Sequence, residues 1–131
     1  MNPSVMLSIL RIVAGLLFLE HGTSKVLDFP ANPMHAAAPH PMPQFMHILA
    51  AISGPMELIG GALITLGLLT RPVAFLLSGE MAVAYFTAHI PRGFYPLVNQ
   101  GELAILYCFL FLYFVFSGAG VVSVDAMLRR K

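Results

Sequence analysis

The stretch that decides the fold is 5–22, VMLSILRIVAGLLFLEHG, an apolar run whose first charged residue is Arg11. A helix that crosses a membrane needs about 20 mostly apolar residues. A cleaved signal peptide carries a basic stretch ahead of its apolar run. Here the arginine lies inside the run, so the sequence predicts a retained membrane-spanning helix.

The composition of the whole chain is that of a membrane protein. Of its 131 residues, 58% are hydrophobic and 10% are charged. Soluble domains average about 45–50% apolar and about 25% charged residues. A net charge of +1 provides no basic surface for phosphates, which excludes nucleic-acid binding. The single cysteine, Cys108, excludes an internal disulfide and a metal centre built from several cysteines.

Three further apolar stretches complete a predicted all-α, four-helix membrane bundle that forms a single domain, 1–131. The four predicted spans are 5–22, 45–69, 73–90 and 101–117. Lys and Arg in short loops concentrate on the cytoplasmic side. The side holding both termini and the second loop carries four such residues, and the other side carries two. Both termini are therefore predicted to be cytoplasmic.

Three ionisable residues, Arg11, Glu57 and Glu80, lie well inside the predicted spans. Such groups cost about 2.5–3.5 kcal/mol each on insertion scales and usually face the bundle interior. Arg11 and Glu80 fall at similar depth, so they can form an ion pair if the first and third helices are neighbours. The alternative is that all three groups only hold the bundle together.

A second polar set collects near the outer ends of the helices, and we expect its members to converge on one pocket. The alternative is that each side chain extends to water without a partner. The set consists of Glu20, His21, Lys25, His89, Arg92 and Glu102.

These residues, in this order, resemble the DoxX family of small four-helix membrane proteins. The first helix carries Arg11-x3-Gly15-x2-Phe18-x2-His21-Gly22-x2-Lys25. The second carries Gly54-x2-Glu57-x2-Gly60-Gly61-x5-Gly67-x3-Arg71, and the likeness continues through Glu80, His89 and Gly118-x-Gly120. The resemblance implies a protein of the cytoplasmic (inner) membrane. It also implies a link to quinone-coupled oxidation or to oxidative-stress complexes, since some family members have one.

The leading functional hypothesis is a quinone-binding subunit that works beside a redox partner, because the sequence has no flavin, nucleotide or iron–sulfur motif. In this hypothesis Glu57 and His21 act in the chemistry, His21 and Lys25 donate hydrogen bonds, and Glu57 or Glu102 relays protons. Phe18 and Tyr113 line the ring slot. The other predicted cofactor-binding residues are Arg11, Glu80 and His89.

Two other functions stay open at this stage. Ionisable groups near the midplane and a helix interrupted at Gly54-Pro55 also suit a small transporter or channel. Four spans would then require a homo-oligomer, with Gly60-Gly61 and the face of Ala84 and Ala88 as candidate surfaces. A non-catalytic scaffold subunit is the third possibility.

No metal site is predicted. The loop after the first span contains histidines and methionines that suit copper, but their spacing follows no defined site.

Overall fold

The computed structural model describes residues 2–33 and 43–129, which are helical and contain no strand. The predicted all-α fold class is therefore confirmed. Residues 34–42, which hold most of the His and Met loop, lie outside the described part. A π-helical turn, Tyr85–His89, and a 3-10 turn, Ile90–Arg92, continue the third helix. The α-helices in chain order are α1 (Pro3–Leu27), α2 (Gln44–Leu66), α3 (Thr70–Ala84), α4 (Pro96–Asn99), α5 (Glu102–Ser117) and α6 (Val124–Arg129).

Three of the helices are long and apolar enough to cross a membrane, namely Pro3–Leu27, Gln44–Leu66 and Thr70–Arg92. They correspond to the first three predicted spans. The fourth predicted span, 101–117, corresponds to α5, which is apolar but has only 16 residues. That length is about 24 Å of helix against a hydrocarbon core of about 30 Å, so a crossing by α5 stays a prediction. The protein contacts the lipid bilayer through several apolar helices.

Helices α1 and α2 run antiparallel with their backbones in direct contact. A methyl group added at Gly61 would lie 2.5 Å from the Leu19 backbone nitrogen, and one added at Gly22 would overlap the backbone of Leu58. Small residues let helix backbones approach closely in membranes. Gly60 and Gly61, predicted as an oligomer surface, are instead buried inside the chain.

Helix α3 packs against α5, and α1 closes the core between them. The Phe18 ring of α1 lies 5.2 Å from Tyr107 and 4.8 Å from Phe111 of α5, measured between centroids. The Ser78 hydroxyl donates to the Cys108 carbonyl at 2.8 Å and joins α3 to α5. The bundle therefore consists of two tight helix pairs, whereas α2 and α3 touch each other less and leave a seam between them.

Arg11 is buried at 1% exposure and binds only backbone carbonyls. Its Nε donates to Ala119 O at 2.8 Å, Nη1 donates to Ile64 O and Thr65 O at 2.5 Å, and Nη2 donates to Val122 O at 2.5 Å. The last carbonyls of a helix have no partner within the helix. Arg11 donates to two of these carbonyls at the end of α2. It also donates to carbonyls of the segment after α5, and so joins that segment to α2.

The predicted ion pair between Arg11 and Glu80 is wrong. Every hydrogen bond found for Arg11 ends on a main-chain oxygen, and the ion pair found among the described residues joins two other side chains. The two residues fall at similar depth along their helices, but Arg11 faces the carboxyl end of α2 instead of α3.

Asp125 of α6 caps the amino end of α3. Its carboxylate accepts hydrogen bonds from the backbone N–H groups of Leu69 and Thr70, each at 2.9 Å. Burial alone would raise the pKa of Asp125, but these hydrogen bonds outweigh it and hold the pKa below its usual value. The stability that Asp125 contributes is therefore present at neutral pH and is lost as the pH falls through that lowered pKa.

Replacing this cap should weaken the fold. Asp125→Asn is expected to lower the free energy of unfolding at pH 7 by about 1 kcal/mol, the usual value for a lost cap. It should also remove the acid-dependent loss of stability that the wild type shows below about pH 4. Thermal unfolding in detergent between pH 3 and 7 measures both effects, with Asp28→Asn at an exposed position as the control. Equal unfolding temperatures for Asp125→Asn and wild type at pH 7 would contradict the capping role.

Candidate functional site

A charged cluster links the outer part of α1 to α2. The ammonium of Lys25 lies 2.7 Å from Glu57 Oε1 and donates to Ser53 Oγ, also at 2.7 Å. The Ser53 hydroxyl in turn donates to Glu57 Oε1 at 3.2 Å. The Glu57 side chain is 3% exposed and the Lys25 side chain 33%, so the carboxylate is buried while the ammonium reaches the edge of the bundle.

Glu80 of α3 completes this cluster from the other side of the seam. Its carboxyl group feels attraction from Lys25 and repulsion from Glu57. Both of its oxygens are buried, as is Glu57 Oε2. The Ser53 hydroxyl lies near enough to Glu80 to interact with it, but no hydrogen bond of ordinary geometry from the described residues reaches any of the three oxygens. Buried polar atoms without partners are costly, so these three oxygens mark a place where a ligand or water would bind.

Lys25 has one N–H donor in addition to the two that are bonded within the cluster. An ammonium group has three N–H donors, and two of them are taken by Ser53 and Glu57. Within residues 2–33 and 43–129, no acceptor is found for the third. The cluster therefore offers one cationic donor and three carboxyl oxygens at the same point of the seam.

The cluster borders a cavity of about 360 Å³ between α2 and α3. Lys25, Ser53, Glu80 and Thr87 contribute its polar groups, and the rest of the wall is apolar. Ile52 and Val83 on its rim are about half exposed, which places the opening on the lipid-facing surface. The apolar lining consists of Met46, Leu49, Ala50, Ile52, Met56, Val83, Ala84 and Ala88.

The π-helical turn Tyr85–His89 forms part of the same wall. A π turn inserts one extra residue into a helix and is frequent at functional sites. Here Thr87 and Ala88 come from the turn, and Ala84 precedes it. The small side chains of the two alanines leave the space that the cavity occupies.

His21 lies in a different place from Lys25. It lines a separate cavity of about 250 Å³ with Glu20, Ser24 and the segment 30–33. Its Nδ1 is 2.8 Å from the Leu17 carbonyl, and its ring is 6.2 Å from Tyr107 of α5. The predicted single pocket that joins His21 to Lys25 is therefore wrong.

The other predicted residues of the outer set also lie apart from the charged cluster. The His89 ring stacks on Tyr85 at 6.2 Å, and its Nδ1 is 3.0 Å from the Asn99 carbonyl, so it fastens the loop after α3. Glu102 and Arg92 are exposed, Glu102 at the start of α5. Neither His89 nor Glu102 lines the cavity at Glu80.

The predicted ring slot between Phe18 and Tyr113 is wrong as well. Phe18 is 1% exposed and belongs to the core with Tyr107 and Phe111, whereas Tyr113 is 52% exposed. The two rings have no direct contact in the structure, and neither lines the cavity at Glu80. Arg11, another predicted cofactor residue, is fully engaged with main-chain carbonyls.

Sequence reasoning missed Ser53, which bridges Lys25 and Glu57. A signal was present, because Ser53 precedes Glu57 by four residues and side chains at that spacing share a helix face. It also missed Met56 and Ile52 as cavity walls, since apolar residues in a membrane helix carry no sign of what they face.

The fold and the cluster define a helical integral membrane protein with a charged site in a lipid-facing seam. The family model for DoxX matches residues 6–90, and the chain belongs to the DoxX family.

Curated relatives extend over nearly the whole chain. An uncharacterized protein of Haemophilus influenzae is 45% identical over 130 residues, which is 95% of this chain and 92% of the relative. "Putative oxidoreductase CatD" of Bacillus subtilis is 28% identical over 118 residues, 89% of this chain and 82% of the relative. "Inner membrane protein YqjF" of Escherichia coli is 29% identical over 123 residues, which is 92% of this chain and 90% of the relative. No solved structure shows significant similarity to the chain.

Proposed function

We propose that the protein is a quinone-interacting subunit of a redox system in the inner membrane. The observation that carries this proposal is the largely apolar cavity whose polar lining includes Lys25 and the buried carboxyl group of Glu80, with Glu57 bonded to Lys25 behind the wall. A lipid-soluble ligand with a polar ring suits an opening of this kind better than a hydrated ion does, because most of the wall is apolar. The relatives named as an oxidoreductase and as an inner membrane protein support it.

The residues present fit the head group of a quinone. A quinone ring presents carbonyl acceptors, and Lys25 holds an unused donor beside an apolar space. The quinol form presents hydroxyl donors, for which the carboxyl oxygens of Glu80 in the cavity wall are acceptors. A bound quinone supplies reversible two-electron, two-proton chemistry.

Each residue of the cluster has a distinct task in this proposal. Lys25 orients the ligand by donating to one of its ring oxygens and offsets the charge of the carboxylates. Glu57, held by Lys25 and Ser53, keeps the donor in place. Glu80 is the carboxyl group in the cavity wall, and it exchanges protons with the ligand site.

Electrons have to come from another protein, because the chain has no flavin, nucleotide or iron–sulfur motif. A redox partner or a second copy of the chain completes the system. In the same proposal α5 crosses the bilayer as a fourth span of a single membrane domain, and both termini are cytoplasmic, in keeping with the excess of Lys and Arg on that side. The opening of the α2–α3 seam toward lipid lets the ligand enter without leaving the membrane.

The proposal predicts that quinone affinity depends on Glu80 and Lys25. Glu80→Gln and Lys25→Met should each weaken binding of a long-chain quinone by about tenfold or more, because a hydrogen bond to a charged group contributes about 1.5–3 kcal/mol. The measurement is a titration of the purified protein in nanodiscs, with Glu102→Gln as a matched control outside the cavity. Glu80→Gln is nearly isosteric and keeps an amide oxygen that can still accept from Ser53, so it separates binding from folding.

Two outcomes would contradict the quinone role. The first is that the wild type fails to bind quinone. The second is that both variants bind quinone as tightly as the wild type does. In the first case, flux of small ions and organic acids into proteoliposomes becomes the test of the transporter alternative, and unchanged partner activity in Glu57→Gln would favour a scaffold.

A further inference from the structure

A second cavity continues the first along the same seam. It has a volume of about 460 Å³, and all the residues that line it are apolar. Ile52 and Met56 belong to the walls of both cavities, so the two spaces adjoin. The polar cavity includes Glu80, and the apolar one lies beyond Ile52 and Met56 toward the start of α3.

The second cavity exists because α2 and α3 do not close on each other. The two helices meet where Gly60 faces Leu77; a methyl group there would lie 2.7 Å from Leu77 Cδ2. Beside that contact, Ile59 and Leu76 line the cavity and are each about 60% exposed. Together they form the outer walls of an open groove.

The groove is elongated. From Ile52 to Leu63, both on its wall, α2 rises about 16 Å. The opposite wall runs along α3 from Leu77 to Val73. A long apolar chain fits this shape, whereas a compact ligand would leave most of the groove empty.

We propose that this apolar groove, lined by Ile52, Met56, Ile59, Leu63, Val73 and Leu76, holds the isoprenoid tail of the ligand whose head occupies the cavity at Glu80. The inference rests on the proposed quinone site and specifies its substrate class as a quinone with a long isoprenoid tail. The two cavities are neighbours that share Ile52 and Met56 as walls, which favours one ligand with a polar head and an apolar tail over an unrelated lipid chain. One end of the path carries all the polar groups, and the other end carries none.

The tail contributes a limited amount of affinity. It moves from lipid to protein rather than from water, so the gain comes from packing against the groove and not from the hydrophobic effect. We therefore expect the groove to raise affinity by about tenfold over a tail-less head group, which corresponds to about 1.4 kcal/mol.

The test compares two quinones with the same ring, one with a long isoprenoid tail and one with a methyl group in its place. Both are titrated into nanodiscs that contain wild type, Leu63→Trp or the control Leu66→Trp. Leu63 lines the groove, whereas Leu66 lies one turn further along α2 and is 56% exposed. Val73→Phe fills the groove from α3 and serves as a second variant in case Leu63→Trp folds poorly.

The expected result is a loss of about tenfold in affinity for the long-tailed quinone in Leu63→Trp and Val73→Phe. The tail-less quinone should bind wild type and all variants alike, and Leu66→Trp should match the wild type for both ligands. Equal affinity of the wild type for the two quinones would overturn the tail site while leaving the head site intact. Failure of the wild type to bind either quinone would overturn the proposed function itself.

Discussion

Replacement of Arg11 by alanine is expected to leave little folded protein in the membrane. The variant removes the donor for four backbone carbonyls from two separated segments, 64–65 and 119–122. Hydrogen bonds to a charged group contribute about 1.5–3 kcal/mol each. A loss of more than about 4 kcal/mol is therefore expected, which is a large part of the roughly 5–15 kcal/mol by which a typical domain is stable. Yield of monodisperse protein and the unfolding midpoint in detergent measure it.

A matched control is Arg71→Ala, because Arg71 is exposed at the start of α3. Arg11→Lys should fall between the two, since an ammonium keeps the charge but cannot reach four acceptors with three donors. If Arg11→Ala unfolded at the same midpoint as Arg71→Ala while quinone affinity fell, Arg11 would be a ligand-binding residue instead of a structural one.

The second large effect is expected at Gly22, where α1 crosses α2. In Gly22→Val the new side chain would overlap the backbone of Leu58, and backbone cannot move aside as a flexible side chain can. Overpacking of this kind costs about 1–3 kcal/mol in cores and occasionally more. Because Gly22 packs beside Glu57, separation of the helices should also lengthen the contact between Glu57 and Lys25. Quinone affinity should therefore fall together with stability.

Gly79→Ala is the control for Gly22. An added methyl group at Gly79 would meet nothing within 4 Å, and alanine is the better helix former by about 0.5–1 kcal/mol. The expected result is an unfolding midpoint equal to or above that of the wild type. A loss of stability in Gly79→Ala as large as in Gly22→Val would show that the close approach of α1 and α2 is not the cause.

Hydropathy was sufficient to predict the helical class and the three long spans, because a run of about 20 apolar residues is typical of a membrane-spanning helix. It could not decide whether α5 crosses the membrane, since 16 residues fall between a span and a buried core helix. Likewise, Arg11 and Glu80 share a depth, but depth does not specify which neighbour a side chain faces. Main-chain carbonyls, the actual partners of Arg11, leave no mark in a sequence.

The candidate site was predicted in part. Lys25, Glu57 and Glu80 were all identified as site residues, because each is an ionisable group in an apolar setting. His21 was grouped with Lys25 because both lie near the outer end of the first span. The long stem of Lys25 carries its nitrogen to α2, whereas the shorter His21 stays beside Tyr107 of α5. Side-chain length thus separates two residues that helix geometry places together.

The most direct test of the quinone site is mass spectrometry of the lipids extracted from gently purified protein. Wild type, Glu80→Gln and the control Glu102→Gln are prepared side by side from the same membranes. We predict that an isoprenoid quinone is retained by the wild type and by Glu102→Gln and is depleted in Glu80→Gln. Absence of quinone from the wild type, or equal amounts in all three preparations, would contradict a quinone site at Lys25, Glu57 and Glu80.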